Sequence, residues 1–280
     1  MLVKLEGILL TKVLYRERDL IVNLLLRSGR KIGVILYGVR SSNAKKNRGF
    51  AGVVGVASVE LGQMLKLEAR KSKSRGSDGL FSANEWSVLW NHRYLRGNYR
   101  AFFLLCFYLE VLTKSAVEEE IWPYDGHRSS GQRQDEMLFA VASNAIFYLE
   151  RCLRQEPSLE RHKEIFLAKI LYALGIAPNL KKCVFCGGDF IFDAEKFLLS
   201  FRREEGGFVG SCCYNQNFDF AKNLFLYRFL HDALILNYAQ LIEQKTARKN
   251  VTDIVDVLFD YLCYHYQWWK SDFKSIKYQV

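Results

Sequence analysis

The chain has 280 residues, half of them hydrophobic and a quarter charged, which supplies enough apolar surface for one large core or two modest ones and excludes a disordered polymer. Its formal charge of +10 is unevenly placed: residues 1–80 carry 16 Lys and Arg against 6 Asp and Glu, whereas residues 81–280 carry 24 of each. Lys4 and Glu6 interrupt the first apolar stretch, and no later run approaches the ~18 uncharged apolar residues of a membrane span, so a soluble cytoplasmic protein with no membrane partner is expected.

In chain order, the first 70 residues read as short strands at Val3 to Thr11, Leu20 to Leu26, Lys31 to Tyr37, Gly52 to Leu61 and Met64 to Ala69. Leu65-Lys66-Leu67-Glu68-Ala69 alternates as a half-buried strand must. Arg27-Ser28-Gly29-Arg30 is a hairpin turn in which Gly29 supplies the positive φ. Five short strands suggest a small barrel, of which the OB-fold is the commonest basic example. The stretch from Gly38 to Gly49 is polar, basic and rich in turn formers, and so predicts a loop. A second basic stretch, Arg70 to Ser77, follows the last strand, and the two cationic segments fit related edges of one barrel; a plain linker is the alternative for the second.

From Trp86 onward the apolar period becomes helical. Tyr99 to Val117 is nearly continuous in apolar residues and predicts a buried central helix; further helices are expected at Asp135 to Leu153, Glu160 to Leu174, Asn223 to Gln244 and Val251 to Trp269. Gly175 and Pro178 form a stop signal after the third of these. The acidic run Glu118-Glu119-Glu120 reads as a solvated end. The Trp268-Trp269 pair reads as core, with a contact surface as its alternative. The expected organisation is α+β and multidomain: an OB-fold barrel over residues 1–80, then an α-helical domain over 81–280 with a zinc-finger-like insertion at about 181–215.

Seven cysteines, an odd number, disfavour a disulfide framework. Cys106, Cys152 and Cys263 lie in apolar helical surroundings and read as small core residues. Cys183-Val184-Phe185-Cys186-Gly187-Gly188 has the form of a zinc knuckle, and after 25 intervening residues Cys212 and Cys213 follow a short hairpin built from Lys196 to Phe201 and Gly207 to Val209. Gly210 stands where a regular second half-site has its first cysteine; Cys212 could supply the fourth thiolate, which in adjacent cysteines predicts a strained backbone. Structural Zn2+ on Cys183, Cys186, Cys212 and Cys213 is the first reading; a decayed site or a redox-labile thiol group is the alternative. A thiolate-only set leaves no open position for a catalytic water.

Lys4-Leu5-Glu6-Gly7-Ile8-Leu9-Leu10, then Tyr15-Arg16-Glu17-Arg18-Asp19 and Gly38-Val39-Arg40, resemble the opening of the RecO family of bacterial DNA repair and recombination mediators. Leu171 to Leu180, leading into Cys183 and Cys186, and Gly206-Gly207-Phe208 resemble the elements that enter and leave that family's zinc finger. The resemblance covers roughly residues 1–70 and 160–220. It implies DNA as ligand, annealing of complementary strands, recombinase loading together with RecR, binding to the C-terminal tail of single-strand DNA-binding protein, and a nucleoid-associated location.

Arg40, Lys45, Lys46 and Arg48 are the first candidates for phosphate contacts, followed by Lys12, Arg16, Arg18, Arg70, Lys71, Lys73 and Arg75. Tyr15, Tyr37 and Phe50 are candidates for base stacking, with barrel core as their alternative. His92, His127, His162, His231 and His265 are scattered without a serine or cysteine partner at a recognisable spacing, and no phosphate-binding glycine loop occurs, so no enzyme is expected. A zinc-ribbon adaptor without annealing activity is the alternative function.

Overall fold

The computed structural model describes residues 2–39, 59–71, 80–119, 132–153, 159–190, 199–213, 223–244 and 252–278. The chain divides into two compact units, Met1–Pro157 with Lys277–Val280, and Ser158–Ile276.

In the first unit, strands β1 (Val3–Tyr15), β2 (Asp19–Leu26), β3 (Lys31–Leu36), β4 (Met64–Lys71) and β5 (Phe81–Trp90) close a barrel in the order β1-β2-β3-β5-β4. All neighbours are antiparallel except β3 and β5, which is the OB-fold arrangement. Its interior is filled by Leu9, Val22, Leu24, Val34, Leu36, Leu65, Leu67, Ala69, Phe81 and Trp86, all buried. The β2–β3 turn forms as expected, with Gly29 at φ 81° and its N–H donated to the Leu26 carbonyl.

The fifth strand differs from the expected one. Of Gly52 to Leu61, residues 52–58 lie outside the described residues and Val59 to Leu61 are not strand; β5 lies C-terminal of Leu80 and runs past Trp86, where the sequence pattern is helical. Pairing with β4 slips between Met64 and Leu65 and again between Glu68 and Ala69. The inward residues of β5 are therefore Phe81, Ala83, Trp86 and Val88, spaced two, three and two, which hides the two-residue period.

After the barrel come α1 (Tyr94–Gly97), α2 (Tyr99–Ser115) and α3 (Gln132–Cys152). Asn98 caps α2 by accepting from the Ala101 N–H. Glu150 of α3 accepts from the N–H groups of Arg93, Tyr94 and Leu95, so one carboxylate satisfies the first donors of α1. The start of the acidic run is not merely solvated: Lys31 donates its N–H to Val117 and accepts from Glu119, a short bridge against the start of β3.

In the second unit, α4 (Leu159–Ala173) is buried on nearly every side and contacts α5 (Asn223–Ile235), α6 (Tyr238–Glu243) and α7 (Thr252–Tyr266). Its polar side chains cap carbonyls at or near the ends of its neighbours. Arg161 donates to the Leu241 carbonyl from Nε and Nη2 and pairs with buried Glu164; Lys169 donates to Leu236, and the Tyr172 hydroxyl to Leu230. The helix expected over Asn223 to Gln244 is two helices. Asn237 breaks it, because its carboxamide accepts from the Gln240 N–H while Gln240 Oε1 accepts from the Asn237 N–H, a capping box. Between α4 and α5 lies the hairpin β6 (Leu199–Arg202) and β7 (Gly207–Gly210), matching the expected one within the described residues.

Candidate nucleic-acid interface and metal centre

Cross-strand pairing places one rim of the barrel. Tyr15 pairs with Asp19 at the β1–β2 tip, Leu20 with Leu36, Leu36 with Ala83, Ser82 with Arg70, and Phe81 with Lys71. The β1–β2 tip, the end of β3, the start of β5 and the end of β4 are thus consecutive around one edge. Arg16 and Arg18 stand at its first corner and Arg70 and Lys71 at its last, all four exposed. Val39 and Lys71, from which the chain enters residues 40–58 and 72–79, lie on the same rim. Asp19 ties the rim together, its Oδ1 accepting from the Gly38 N–H at 2.9 Å. The Tyr-x-Glu-x-Asp and Gly-x-Arg motifs, 19 residues apart at Asp19 and Gly38, are therefore two ends of one hydrogen bond.

Arg40, Lys45, Lys46, Arg48, Lys73, Arg75 and Phe50 lie outside the described residues. Lys12, itself exposed, is engaged in a local network: its Nζ donates to the Val59 carbonyl at 2.8 Å and meets Glu60 at 3.1 Å, and Arg96 reaches the same carboxylate at 3.7 Å. Burial, and then the Arg96 charge, lower its pKa. Arg16 occupies the left-handed region at φ 53°, which costs a non-glycine residue about 1 kcal/mol, and its guanidinium lies 5.0 Å from the centre of the Tyr15 ring. Tyr15 and Tyr37 are half-buried. Sequence reasoning misses Val13 and Leu14, which are 61% and 67% exposed beside these cations, because the expected β1 ends at Thr11.

The second unit brings Cys183, Cys186, Cys212 and Cys213 together, their sulfurs all within 4.8 Å of one another. Tetrahedral zinc–thiolate bonds of about 2.3 Å require sulfurs about 3.8 Å apart, so the set fits a closed four-thiolate site. The first pair sits on a knuckle closed by Gly187 N–H to the Cys183 carbonyl and Cys183 N–H to the Gly188 carbonyl, both 2.9 Å. Val184 donates to Phe208, locking the knuckle onto β7. Gly207 is required there: a Cβ would stand 2.6 Å from Val184 Cγ1 and 3.1 Å from the Asn179 backbone nitrogen.

The adjacent cysteines do not strain the backbone in the expected way. Ser211–Cys213 form one 3-10 turn, and neither Cys212 nor Cys213 has a positive φ, so a tight right-handed turn aims both sulfurs at one point. A Cβ at Gly210 would meet the Phe190 ring at 3.1 Å and the Cys212 sulfur at 3.6 Å. Cys212 therefore already occupies the neighbourhood that a cysteine at 210 would fill. The thiols are electrostatically unequal. Burial would raise Cys183, but the N–H groups of Cys186, Gly210 and Phe185, with the Cys212 thiol, outweigh it and bring it down to about 6; burial and the neighbouring sulfurs push Cys212 up to about 12. A cation at the centre would relieve that mutual repulsion.

Cys152 and Cys263 are buried and Cys106 half-buried, as core residues should be. The Trp268-Trp269 pair splits between the two readings: Trp268 packs on Tyr266 and Phe273, whereas Trp269 is 76% exposed. Among the described residues, no helix is long and apolar enough to cross a membrane.

No protein-family model matches the chain. It is similar to the DNA repair protein RecO of Bacillus pumilus, with 24% identity over 217 residues, 78% of this chain and 70% of the relative. The DNA repair protein RecO of Chlorobaculum parvum is 25% identical over 212 residues, 75% of this chain and 71% of that one. That of Listeria monocytogenes is 24% identical over 184 residues, 66% of this chain and 60% of the relative. The same description on each relative, together with an OB-fold barrel at the amino end and a four-cysteine cluster in the helical unit, supports membership of the RecO family.

Proposed function

We propose that this protein acts in DNA repair and recombination by binding DNA along the basic barrel rim and annealing complementary strands. The observation that carries the proposal is the convergence of Arg16, Arg18, Arg70 and Lys71, and of the points where the two basic segments begin, on one edge of the barrel, with the whole positive excess in residues 1–80. In OB-folds the first hairpin, the β4–β5 connection and the faces of strands 2 and 3 form the oligonucleotide site, and here the β1–β2 tip and residues 72–79 correspond to those two connections. Cations along this edge contact phosphates, and Val13, Leu14 and Tyr15 offer apolar and aromatic surface to unstacked bases. Arg40, Lys45, Lys46, Arg48, Lys73 and Arg75, which follow Val39 and Lys71 in the chain, are proposed as further phosphate contacts, and Lys12 as another.

Annealing requires two polyanions to approach with their charge neutralised, and each phosphate contact releases counterions. No covalent bond changes, so the function assigns no side chain as nucleophile or general base. The mediator role would be completed by RecR and by the acidic tail of single-strand DNA-binding protein, through which the protein reaches coated strands and helps load recombinase. Cys183, Cys186, Cys212 and Cys213 hold Zn2+ as a structural staple that fixes the knuckle to the β6–β7 hairpin.

The test is annealing of complementary oligonucleotides coated with single-strand DNA-binding protein, at two salt concentrations, by the intact chain and by a variant with Arg40, Lys45, Lys46 and Arg48 changed to alanine. Salt-sensitive annealing that the variant fails to perform is the expected result. Absence of annealing by the intact chain would replace this function with that of a zinc-ribbon adaptor.

A further inference from the structure

Two of the four clustered thiols differ from the others in access. Cys183 is 1% exposed and Cys213 half-buried, whereas Cys186 and Cys212 are both exposed, with sulfurs 3.4 Å apart. A disulfide bond of about 2.05 Å would need these sulfurs to approach by little more than 1 Å. Each lies on a short turn rather than inside a strand or α-helix, and the space around Gly187, next to Cys186, is open to 4 Å, so the knuckle has room to adjust. Sulfurs close to one another and open to solvent are what a peroxide-sensitive thiol pair requires.

We propose that Cys186 and Cys212 form a reversible disulfide under peroxide, making the cluster an oxidant-sensitive site as well as a staple. One thiolate attacks the peroxide O–O bond, giving a sulfenic acid and releasing hydroxide. The second thiolate attacks that sulfur, forming the S–S bond and expelling the other oxygen as hydroxide. Two electrons pass from the sulfurs to the peroxide, and two protons from solvent complete two waters. When zinc is bound, the reaction removes two of its four donors, and Cys183 and Cys213 alone do not retain it. Only this release of metal rests on the zinc reading above; the disulfide rests on the sulfur geometry.

The experiment treats the full chain, both loaded with Zn2+ and freed of metal, with graded hydrogen peroxide. Free thiols, released zinc by a chromogenic chelator, and cross-linked peptides by mass spectrometry are followed together. The expected outcome is a fall of two from the seven thiols, one zinc released per loaded chain, and a single cross-link joining the peptides of Cys186 and Cys212, all reversed by dithiothreitol. Cys186→Ser should abolish that cross-link. Linkage of another pair, or oxidation to sulfinic acid without linkage, would overturn the proposal. A chain that takes up no zinc would defeat the metal reading, while the cross-link in the metal-free chain would still decide this one.

Discussion

The barrel rim and the thiol cluster assemble their functional groups by opposite means. On the rim, Arg16 and Lys71, far apart in sequence, are placed on one edge by the register of four strand pairings, each side chain exposed. In the cluster, four sulfurs are drawn within 4.8 Å by a knuckle and a hairpin joined through Val184 and Phe208. A charged surface of the first kind degrades by increments as residues are removed. A closed coordination set of the second kind fails at its first missing ligand.

The largest effect should therefore come from the cluster. Cys183→Ser removes the buried ligand, and zinc affinity should fall by well over the ~100-fold typical of changes that only touch a ligand's supporting partner. Hydrogen exchange on the full chain should show the same asymmetry: chelation of metal should unprotect the peptides from Asn179 to Cys213 and leave the barrel strands unchanged. Equal loss of protection in the barrel would break the comparison.

Next in size is an effect of acid on the helical unit. His162 is buried, neither ring nitrogen has a hydrogen-bond partner among the described residues, and burial, with the Arg161 charge, holds its pKa down to about 4. The unfolded chain takes up this proton at about pH 6.5 and the folded chain only near 4, so the stability it contributes is full above 6.5 and is lost as pH falls through that window, by about 3 kcal/mol. Denaturant melts at pH 7 and pH 4.5 should show this loss in the intact chain and a smaller one in His162→Leu. An unchanged pH dependence in the variant would remove His162 from the account.

The smallest effect sharpens the rim. Arg16→Gly relieves the left-handed backbone and should raise barrel stability by up to about 1 kcal/mol while weakening single-strand binding, because one cation no longer faces a phosphate. Gain of stability with binding unchanged would move Arg16 off the interface.

How legible these regions are in the sequence follows from the same contrast. The cysteine spacing, the stop at Gly175 and the β6–β7 hairpin are local signals, and each appears where the sequence puts it. The barrel is legible through β1 to β4, but β5 is not, because two register slips erase its alternation. The break at Asn237 is readable in principle from Asn237 and Gln240, yet the apolar run on either side overrides it. Neither the bonds from Lys12 to Val59 and Glu60 nor the bond from Gly38 to Asp19 has a local signature, since both depend on strands closing at a distance.

The most direct test of the central claim is the salt dependence of single-strand binding by the intact chain and by a variant with Arg16, Arg18, Arg70 and Lys71 changed to alanine. With these four cations removed from the phosphate backbone, the slope of log affinity against log salt should become shallower by up to about 2.8, at ~0.7 per neutralised single-strand phosphate. An unchanged slope in a folded variant would contradict the placement of the DNA site on this rim.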